Sequence, residues 1–361
     1  MADHQLVLLR RQYRQLFEPD FISWPPLALL RNDDVQAWLY RHLFDSTRND
    51  FLPPDQYQLC VLNVLVQRIA KATGNSSAVH RRLTSHLEHL KSIQEDSTTR
   101  SSQHIEAYIT FTCLHARDST SDPEIANDQD PTITLLERRS LVVGSKITGF
   151  RTWEGCMHLA TYLLTSRGQQ HIRGKRVLEL GAGTGFLSIL CAKFLGARHV
   201  LSTDGDGDVI EALRENVDLN SAGDGESADA EHDCRLPVDA RVLWWGEGLG
   251  GMWVQEEFQR EPFDVVLGAD ITYDKDAVVL LAFTLNELLK LQPQLEVIIA
   301  GVVRRADSFE LFLSECNRFG FTTTEVRFEA KPMREQKALF YAAAMPLKIL
   351  SICGPAVDSA L

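Results

Sequence analysis

The sequence predicts an α/β fold, in which a doubly wound, mostly parallel sheet of seven strands follows an N-terminal helical domain. The first observation is a strand, a glycine-rich turn and a helix in succession at residues 177–186, which read V-L-E-L-G-A-G-T-G-F. The second is the alternation of strand-like apolar runs with helical patterns beyond that turn, which is typical of parallel sheets. The third is the helical apolar spacing before it, over residues 5–95.

Residues 1–95 are predicted to form a small helical domain. Proline pairs separate its segments, and residues 57–69, Y-Q-L-C-V-L-N-V-L-V-Q-R-I, are a strongly apolar helix candidate. His80, His86 and His89 lie on a basic helix. A solvated helix face accounts for these histidines better than a metal site does, and no metal is expected in this protein.

A polar linker is expected at residues 96–131, because serine, threonine and aspartate dominate there around one apolar island at 107–114. From Thr132 an alternating pattern predicts strands that form a hairpin or a lid ahead of the sheet. The sheet domain is expected over residues 132–350, with a tail at 351–361.

The strands of the sheet are predicted from short apolar runs, and the last two are expected to form an antiparallel edge. Their ranges are 177–180, 199–204, 240–245, 263–269, 295–303, 321–328 and 338–344. Helices are expected at about 154–165 and 307–319, and the acidic run at 221–234 is expected to be a loop.

The composition excludes several classes of protein. The formal net charge of -12 argues against a broad basic surface for nucleic acid, although a local basic patch stays possible. The seven cysteines show no C-x-x-C pair, which indicates a reducing intracellular setting. Because no apolar run is long enough to cross a bilayer and the N-terminus lacks a signal peptide's pattern, a soluble cytoplasmic protein is expected.

Four segments should meet at one edge of the sheet, because ligands of such folds bind outside the carboxyl ends of the strands. These segments are the glycine turn at 181–185, Asp204, Trp245 and Asp270. Asp204 lies about twenty residues after the turn, where an acidic side chain accepts hydrogen bonds from ribose hydroxyls. The alternative for Asp204 is a helix cap or a solvated acid.

The spacing of the glycines separates two kinds of nucleotide site. A dinucleotide fingerprint requires G-x-G-x-x-G, but here the third glycine comes one residue early. Together with Glu179, the turn reads E-x-G-x-G-x-G and resembles motif I of the class I, Rossmann-like S-adenosylmethionine methyltransferases. The resemblance implies S-adenosyl-L-methionine as the cofactor, held near Glu179, Gly181, Gly183 and Gly185.

Two further motifs resemble the family-16 protein methyltransferases, which modify mainly lysines of non-histone proteins. Residues 270–273, D-I-T-Y, are similar to that family's D-x-x-Y signature, and T-G-x-x-T-W ends at Trp153. The V-V-R-R and F-E-L-F runs at 302–305 and 309–312 look like the elongation factor 2 lysine methyltransferases. The resemblance implies a cofactor site lined by Trp153, Gly181, Ala182, Gly183, Asp204, Trp245 and Ala269.

One departure from the family leaves an alternative open. Relatives often have L-D-W after the third strand of the sheet, whereas this chain has L-W-W at residues 243–245. Either Trp244 or Trp245 can therefore meet the adenine, and the register favours Trp245.

The catalytic assignment follows from the chemistry of an acceptor amine. A nearby carboxylate raises a lysine's pKa and is a poor means of deprotonation, so Asp270 is expected to capture and orient the amine. Tyr273 is expected at the channel wall. The alternative is that Asp270 only caps the following helix.

The leading interpretation is a monomeric lysine methyltransferase of elongation factor 2, without direct contact to nucleic acid or membrane. The alternatives are a different protein or small-molecule acceptor, or an inactive binding scaffold.

Overall fold

The computed structural model describes residues 3–96, 104–115, 130–140, 148–221, 235–246 and 252–355. These residues form two compact units. The helical unit contains the described residues up to Leu114 together with 130–140 and 336–340. The sheet unit contains His115, residues 148–335 and residues 341–355, within the same described ranges.

Within the described ranges, the helical unit contains five α-helices and a hairpin. Its elements are α1 (His4–Arg14), α2 (Leu27–Leu30), α3 (Asp33–Leu43), α4 (Asp55–Thr73), α5 (Arg81–Asp96), β1 (His104–Thr112) and β2 (Thr132–Ser140). Leu9, Leu39, Leu62 and Leu83 are completely buried in one apolar cluster, so the helices share a core. The apolar run at 57–69 lies inside α4, as the sequence predicted.

The hairpin differs from the sequence interpretation. β1 lies in the segment that was expected to be a polar linker, and β2 pairs with it in antiparallel register. Ile109 faces Leu135 and Phe111 faces Ile133, and all four side chains are buried. The alternating apolar residues on both strands account for this pairing, and they place β2 in the helical unit instead of the sheet unit.

The sheet unit alternates strands and helices. Its elements are α6 (Glu154–Leu163), α7 (Ser166–Gln169), β3 (Arg176–Leu180), α8 (Phe186–Lys193), β4 (His199–Asp204), α9 (Gly207–Ser221), β5 (Val238–Val242), α10 (Met252–Arg260), β6 (Val265–Ala269), α11 (Lys275–Leu291), β7 (Glu296–Val302), α12 (Ala306–Arg318), β8 (Thr322–Glu325) and β9 (Leu347–Cys353).

The seven strands form one sheet in the order β5-β4-β3-β6-β7-β9-β8. The first five are parallel, and β9 is antiparallel to both β7 and β8. The chain builds outwards from β3 in one direction and then continues from β6 in the other. This reversal confirms the doubly wound fold and creates a topological switch point between β3 and β6, where such sheets bind ligands.

Two strand predictions need correction. The third strand of the sheet, expected at 240–245, is β5 and ends at Val242, so both tryptophans lie beyond it. The strand expected at 338–344 is wrong, because the last strand of the sheet is β9. The Gln15 side chain forms hydrogen bonds with both backbone groups of Phe340. It accepts from the N–H at 2.9 Å and donates to the carbonyl at 2.5 Å. The backbone of Phe340 is therefore satisfied by a side chain instead of a sheet ladder.

No helix within the described ranges is long and apolar enough to cross a membrane.

Candidate active site

The candidate site lies at the carboxyl ends of the strands that flank the switch point. Gly181 directly follows β3, and Asp270 directly follows β6. Asp204 ends β4, which neighbours β3, and Trp245 follows β5. Because parallel strands end at the same edge of a sheet, the fold brings together the four segments that the sequence selected.

The glycine turn has a backbone conformation that other residues rarely adopt. Gly181, Gly183 and Gly185 have φ angles of 63°, 53° and 82°. A Cβ atom on Gly181 would lie 2.6 Å from Ile271 Cγ2, and one on Gly183 would lie 3.0 Å from the carbonyl oxygen of Gly149. The turn therefore requires glycine for both its conformation and its close packing.

Asp204 is tied directly to the glycine turn. Its carboxylate accepts hydrogen bonds from the backbone N–H groups of Gly183, at 3.0 Å, and Asp206, at 3.3 Å. Burial raises the pKa of Asp204, and these backbone hydrogen bonds oppose that shift. A carboxylate offers about four acceptor positions, so Asp204 retains the capacity to accept from ribose hydroxyls. The Asp206 carboxylate accepts from Asp208 and Val209, in the first turn of α9.

The glycine turn is also held from the side by three residues that were not among the predicted site residues. The hydroxyls of Thr152 and Thr184 are 2.9 Å apart, and both residues are buried. The Asn216 side chain donates to the Thr184 carbonyl at 3.0 Å. Thr152 lies inside the motif that ends at Trp153 and Thr184 inside the glycine turn, whereas Asn216 shows no sequence signal within α9.

Trp153 is fixed at the start of α6. Its indole N–H donates to the Thr148 carbonyl at 3.0 Å. The guanidinium carbons of Arg151 and Arg304 lie 4.7 and 5.3 Å from the centre of its ring. The Thr148 hydroxyl is also 3.1 Å from the hydroxyl of Tyr273, so one threonine links the two predicted aromatic site residues.

The structure distinguishes between the two tryptophans after β5. Trp245 packs against the apolar core of the sheet unit. Its Cζ2 atom lies 3.4 Å from the position of a Cβ atom on Gly181. Trp244 is 63% exposed. The ring beside the glycine turn is therefore that of Trp245, in agreement with the register.

Asp270 joins three elements through its carboxylate. Its Oδ2 accepts from the N–H of Gly155, in the first turn of α6, at 2.6 Å, and its Oδ1 accepts from the N–H of Val302, at the end of β7, at 3.0 Å. Its φ angle of 53° is in the left-handed region, which is unusual for a residue other than glycine. Burial raises the pKa of Asp270, whereas the two backbone hydrogen bonds lower it.

The alternative that Asp270 caps the following helix is wrong. The N-cap of α11 is Asp274, whose carboxylate accepts from the N–H groups of Asp276 at 3.0 Å and Ala277 at 2.9 Å. Asp270 instead satisfies a backbone donor at the start of α6, a role that the sequence did not indicate because the two residues are 115 positions apart.

Glu179 lies in the core below the glycine turn and is 2% exposed. It accepts a hydrogen bond from the Ser188 hydroxyl, which itself accepts from Ser202 at 2.5 Å. Burial raises the pKa of Glu179 to about 8. Its direct role in cofactor binding stays a prediction.

The remaining predicted residues lie at the same edge of the sheet. The Ala182 N–H donates to the Thr203 carbonyl at 2.9 Å, and Ala269 is the half-buried last residue of β6.

The residues present suit S-adenosyl-L-methionine. Side chains are excluded from the cradle at Gly181 and Gly183, so a ligand can approach the backbone closely. Asp204 offers acceptors for ribose hydroxyls, and Trp245 offers an aromatic surface of the kind that binds an adenine.

Glu179 provides a pH-dependent prediction. Its pKa is 4.5 ordinarily and about 8 in the folded protein, so the folded state binds a proton that the unfolded state has lost. The contribution of Glu179 to the free energy of unfolding should therefore fall as the pH rises from 4.5 to 8. We expect Glu179→Gln to remove at least about 2 kcal/mol of that fall, measured by urea unfolding at about pH 5 and about pH 8. The exposed Glu310→Gln is the control, and equal pH slopes in wild type and Glu179→Gln would contradict the argument.

Gly181 provides a prediction for cofactor binding. Gly181→Ala should raise the dissociation constant for S-adenosyl-L-methionine at least about tenfold, because the methyl group strains the backbone and displaces Ile271. Gly174→Ala is the matched control, since Gly174 has a φ angle of 72° and no described heavy atom lies within 4 Å of the position that its methyl group would take. It should destabilise the fold by about 1 kcal/mol without changing the affinity. Calorimetry that shows equal affinities for the two variants would rule out close contact between the cofactor and the backbone at Gly181.

The comparisons with known proteins agree with the motifs. The family model described as lysine methyltransferase matches residues 129–319. The protein-lysine N-methyltransferase EFM3 of Chaetomium thermophilum is 35% identical over 343 residues, which cover 94% of this chain and 95% of that protein.

Two further relatives match shorter stretches. EFM3 of Saccharomyces cerevisiae is 31% identical, over 62% of this chain and 66% of its own. The protein-lysine N-methyltransferase EEF2KMT of Homo sapiens is 28% identical, over 61% of this chain and 63% of its own. The family match and the almost full-length relative show that this chain belongs to the lysine methyltransferase family and uses S-adenosyl-L-methionine as its cofactor.

Proposed function

We propose that this enzyme methylates a lysine side chain of translation elongation factor 2. Methylation of a protein lysine is supported by the similarity to the Chaetomium thermophilum protein-lysine N-methyltransferase, which covers 94% of the chain and therefore includes the helical unit. Recognition of a folded protein requires surface beyond the catalytic sheet. The runs at residues 302–305 and 309–312, which resemble the elongation factor 2 lysine methyltransferases, support the choice of this substrate.

We assign the cofactor site to residues at the carboxyl edge of the sheet. Asp204 would accept from the ribose hydroxyls, and Trp245 would pack on the adenine. Trp153, Ala269 and the glycine turn would enclose the remainder, with Glu179 supporting the turn from below. When bound, S-adenosyl-L-methionine supplies an electrophilic methyl group on a sulfonium centre.

The acceptor amine must be neutral to react. A free lysine with a pKa of about 10.4 is neutral in roughly one molecule in 2,500 at pH 7. Desolvation and nearby positive charge lower that pKa, whereas a nearby carboxylate raises it. The Asp270 carboxylate therefore favours arrival of the charged amine, and its role is to capture and orient the lysine.

The contacts of Asp270 suit this role. The hydrogen bonds from Gly155 and Val302 hold both carboxylate oxygens in place. They use two of about four acceptor positions, so the carboxylate can still accept from an ammonium group. Tyr273 is 50% exposed and is linked to Thr148, which suits the wall of an entry channel.

We further propose that the enzyme acts as a monomer in the cytoplasm.

If Asp270 orients the acceptor lysine, its loss should slow methyl transfer without weakening the binding of the cofactor. We expect Asp270→Ala to reduce methyl transfer at least about 100-fold, while the dissociation constant for S-adenosyl-L-methionine changes less than about threefold. Single-turnover kinetics and calorimetry measure the two quantities. Asp274→Ala is the matched control, because it removes a nearby helix cap worth about 1 kcal/mol and should leave the transfer rate unchanged. A loss of cofactor affinity as large as the loss of rate would reduce Asp270 to a structural residue.

The substrate is tested with labelled S-adenosyl-L-methionine in a lysate from cells that lack this enzyme. We expect one labelled protein of the mass of elongation factor 2, with the label on lysine, and no label with Asp270→Ala. Purified elongation factor 2 should accept the label in the same way. A labelled band of another mass would identify a different acceptor protein, and cofactor binding without any labelled protein would point to a small molecule.

A further inference from the structure

A groove with basic walls lies on the helical unit, on elements that the proposed chemistry does not use. It encloses about 480 Å³ between α3 and α5. We call it the basic groove and define it by its lining residues, which are Tyr40, Arg81, Arg82, Ser85, His86 and His89.

The two arginines of the basic groove are available to a ligand. Both side chains are exposed, and neither is within ion-pair distance of a described carboxylate. Asp45 is an acidic group on which Arg82 acts: hydrogen bonds from Thr47 lower its pKa, and the charges of Arg48 and Arg82 lower it further. The Arg82 guanidinium lies 5.7 Å from the centre of the Tyr40 ring, which places its charge at the wall of the groove. A guanidinium only donates hydrogen bonds, so the groove requires a ligand that accepts them.

Of the two histidines in the groove, His86 is held in place by neighbouring side chains. The Nε2 atom of His86 is 3.1 Å from Gln58 Oε1, and its ring meets the edge of Tyr40 at 6.2 Å between centroids. His89 lies one turn further along, with its ring 6.4 Å from that of His86. The floor of the groove is thus built by packed side chains, while the charged groups stay at its rim.

The length of the groove indicates the shape of its ligand. The lining residues of α5 are spaced i, i+1, i+4, i+5 and i+8, which places them on one face of the helix. Eight residues of helix rise about 12 Å. An extended peptide advances about 3.3 Å per residue, so this face matches a segment of roughly four residues.

The charge of the groove favours an acidic protein segment over nucleic acid. Only the two arginines among its lining residues carry permanent charge, which is fewer than the roughly 6 to 10 phosphate contacts of a DNA-binding protein with strongly salt-dependent affinity. The formal net charge of -12 also opposes a long polyanion. A short segment with two or three carboxylates complements the two arginines and experiences less repulsion from the negative charge of the protein than a long polyanion does.

We propose that the basic groove docks an acidic segment of the protein substrate. This inference rests on the proposed function, since it assigns to the helical unit a part in substrate recognition. The groove then contributes to the binding of the substrate protein and leaves the methyl-transfer step itself unchanged.

The first test measures binding without catalysis. A fluorescent ten-residue peptide of alternating glutamate and glycine is titrated with the full-length enzyme at low salt. We expect the double variant Arg81→Gln/Arg82→Gln to raise the dissociation constant about tenfold. The matched control Arg41→Gln/Lys91→Gln also removes two exposed cations from α3 and α5, outside the groove, and should stay within about twofold of wild type. No binding by wild type, or equal losses in both double variants, would overturn the proposal.

The second test separates docking from the proposed substrate. With elongation factor 2, Arg81→Gln/Arg82→Gln should raise KM about tenfold at unchanged kcat, and the control should not. An unchanged KM would overturn the docking role even if elongation factor 2 is methylated. If wild type does not methylate elongation factor 2, the proposed function fails. The peptide titration alone then decides whether the basic groove binds an acidic segment. An RNA oligonucleotide of equal charge that binds more tightly than the peptide, and loses affinity in the same variant, would identify a nucleic-acid site instead.

Discussion

The carboxylate of Asp270 is the contact on which the predicted acceptor side of the site depends, whereas the glycine turn keeps its own hydrogen bonds to Asp204 and Thr152. It accepts from the backbone of α6 on one side and of β7 on the other, directly after β6. Gly155 has to be glycine for this approach, since a Cβ atom there would lie 2.6 Å from Asp270 Oδ1. The left-handed φ angle of Asp270 aims the side chain back across the sheet edge, and the two hydrogen bonds offset the strain of that conformation.

The start of α6 connects this contact to the remainder of the site. Trp153 precedes Gly155 by two residues, and Glu154 between them forms an ion pair with Arg304, just beyond β7. The same segment reaches the glycine turn through Thr152 and Thr184. The predicted cofactor residues and the predicted acceptor residues therefore share one hydrogen-bonded support, so a change at Asp270 has to be judged by cofactor affinity as well as by rate.

The sequence located the parts of the site more reliably than their contacts. Gly181, Asp204 and Asp270 are predicted site residues because each follows or ends an apolar strand, and the structure places all three at one edge of the sheet. Trp245 was preferred to Trp244 by register, and the position of its ring beside Gly181 agrees with that choice. The backbone donors that bind Asp270 could not be predicted, since they lie 115 and 32 positions away and carry no side-chain signal.

By itself the sequence determined the doubly wound sheet, the glycine turn and the helices, because each depends on local periodicity and on residues with special backbone freedom. Only the tertiary structure decided which polar groups satisfy one another. The strand expected at 338–344 illustrates the reason, since Gln15 binds the backbone of Phe340 and the apolar residues of β9 complete the sheet instead. Long-range hydrogen bonds depend on the positions of groups in space, which the local pattern of residues does not encode.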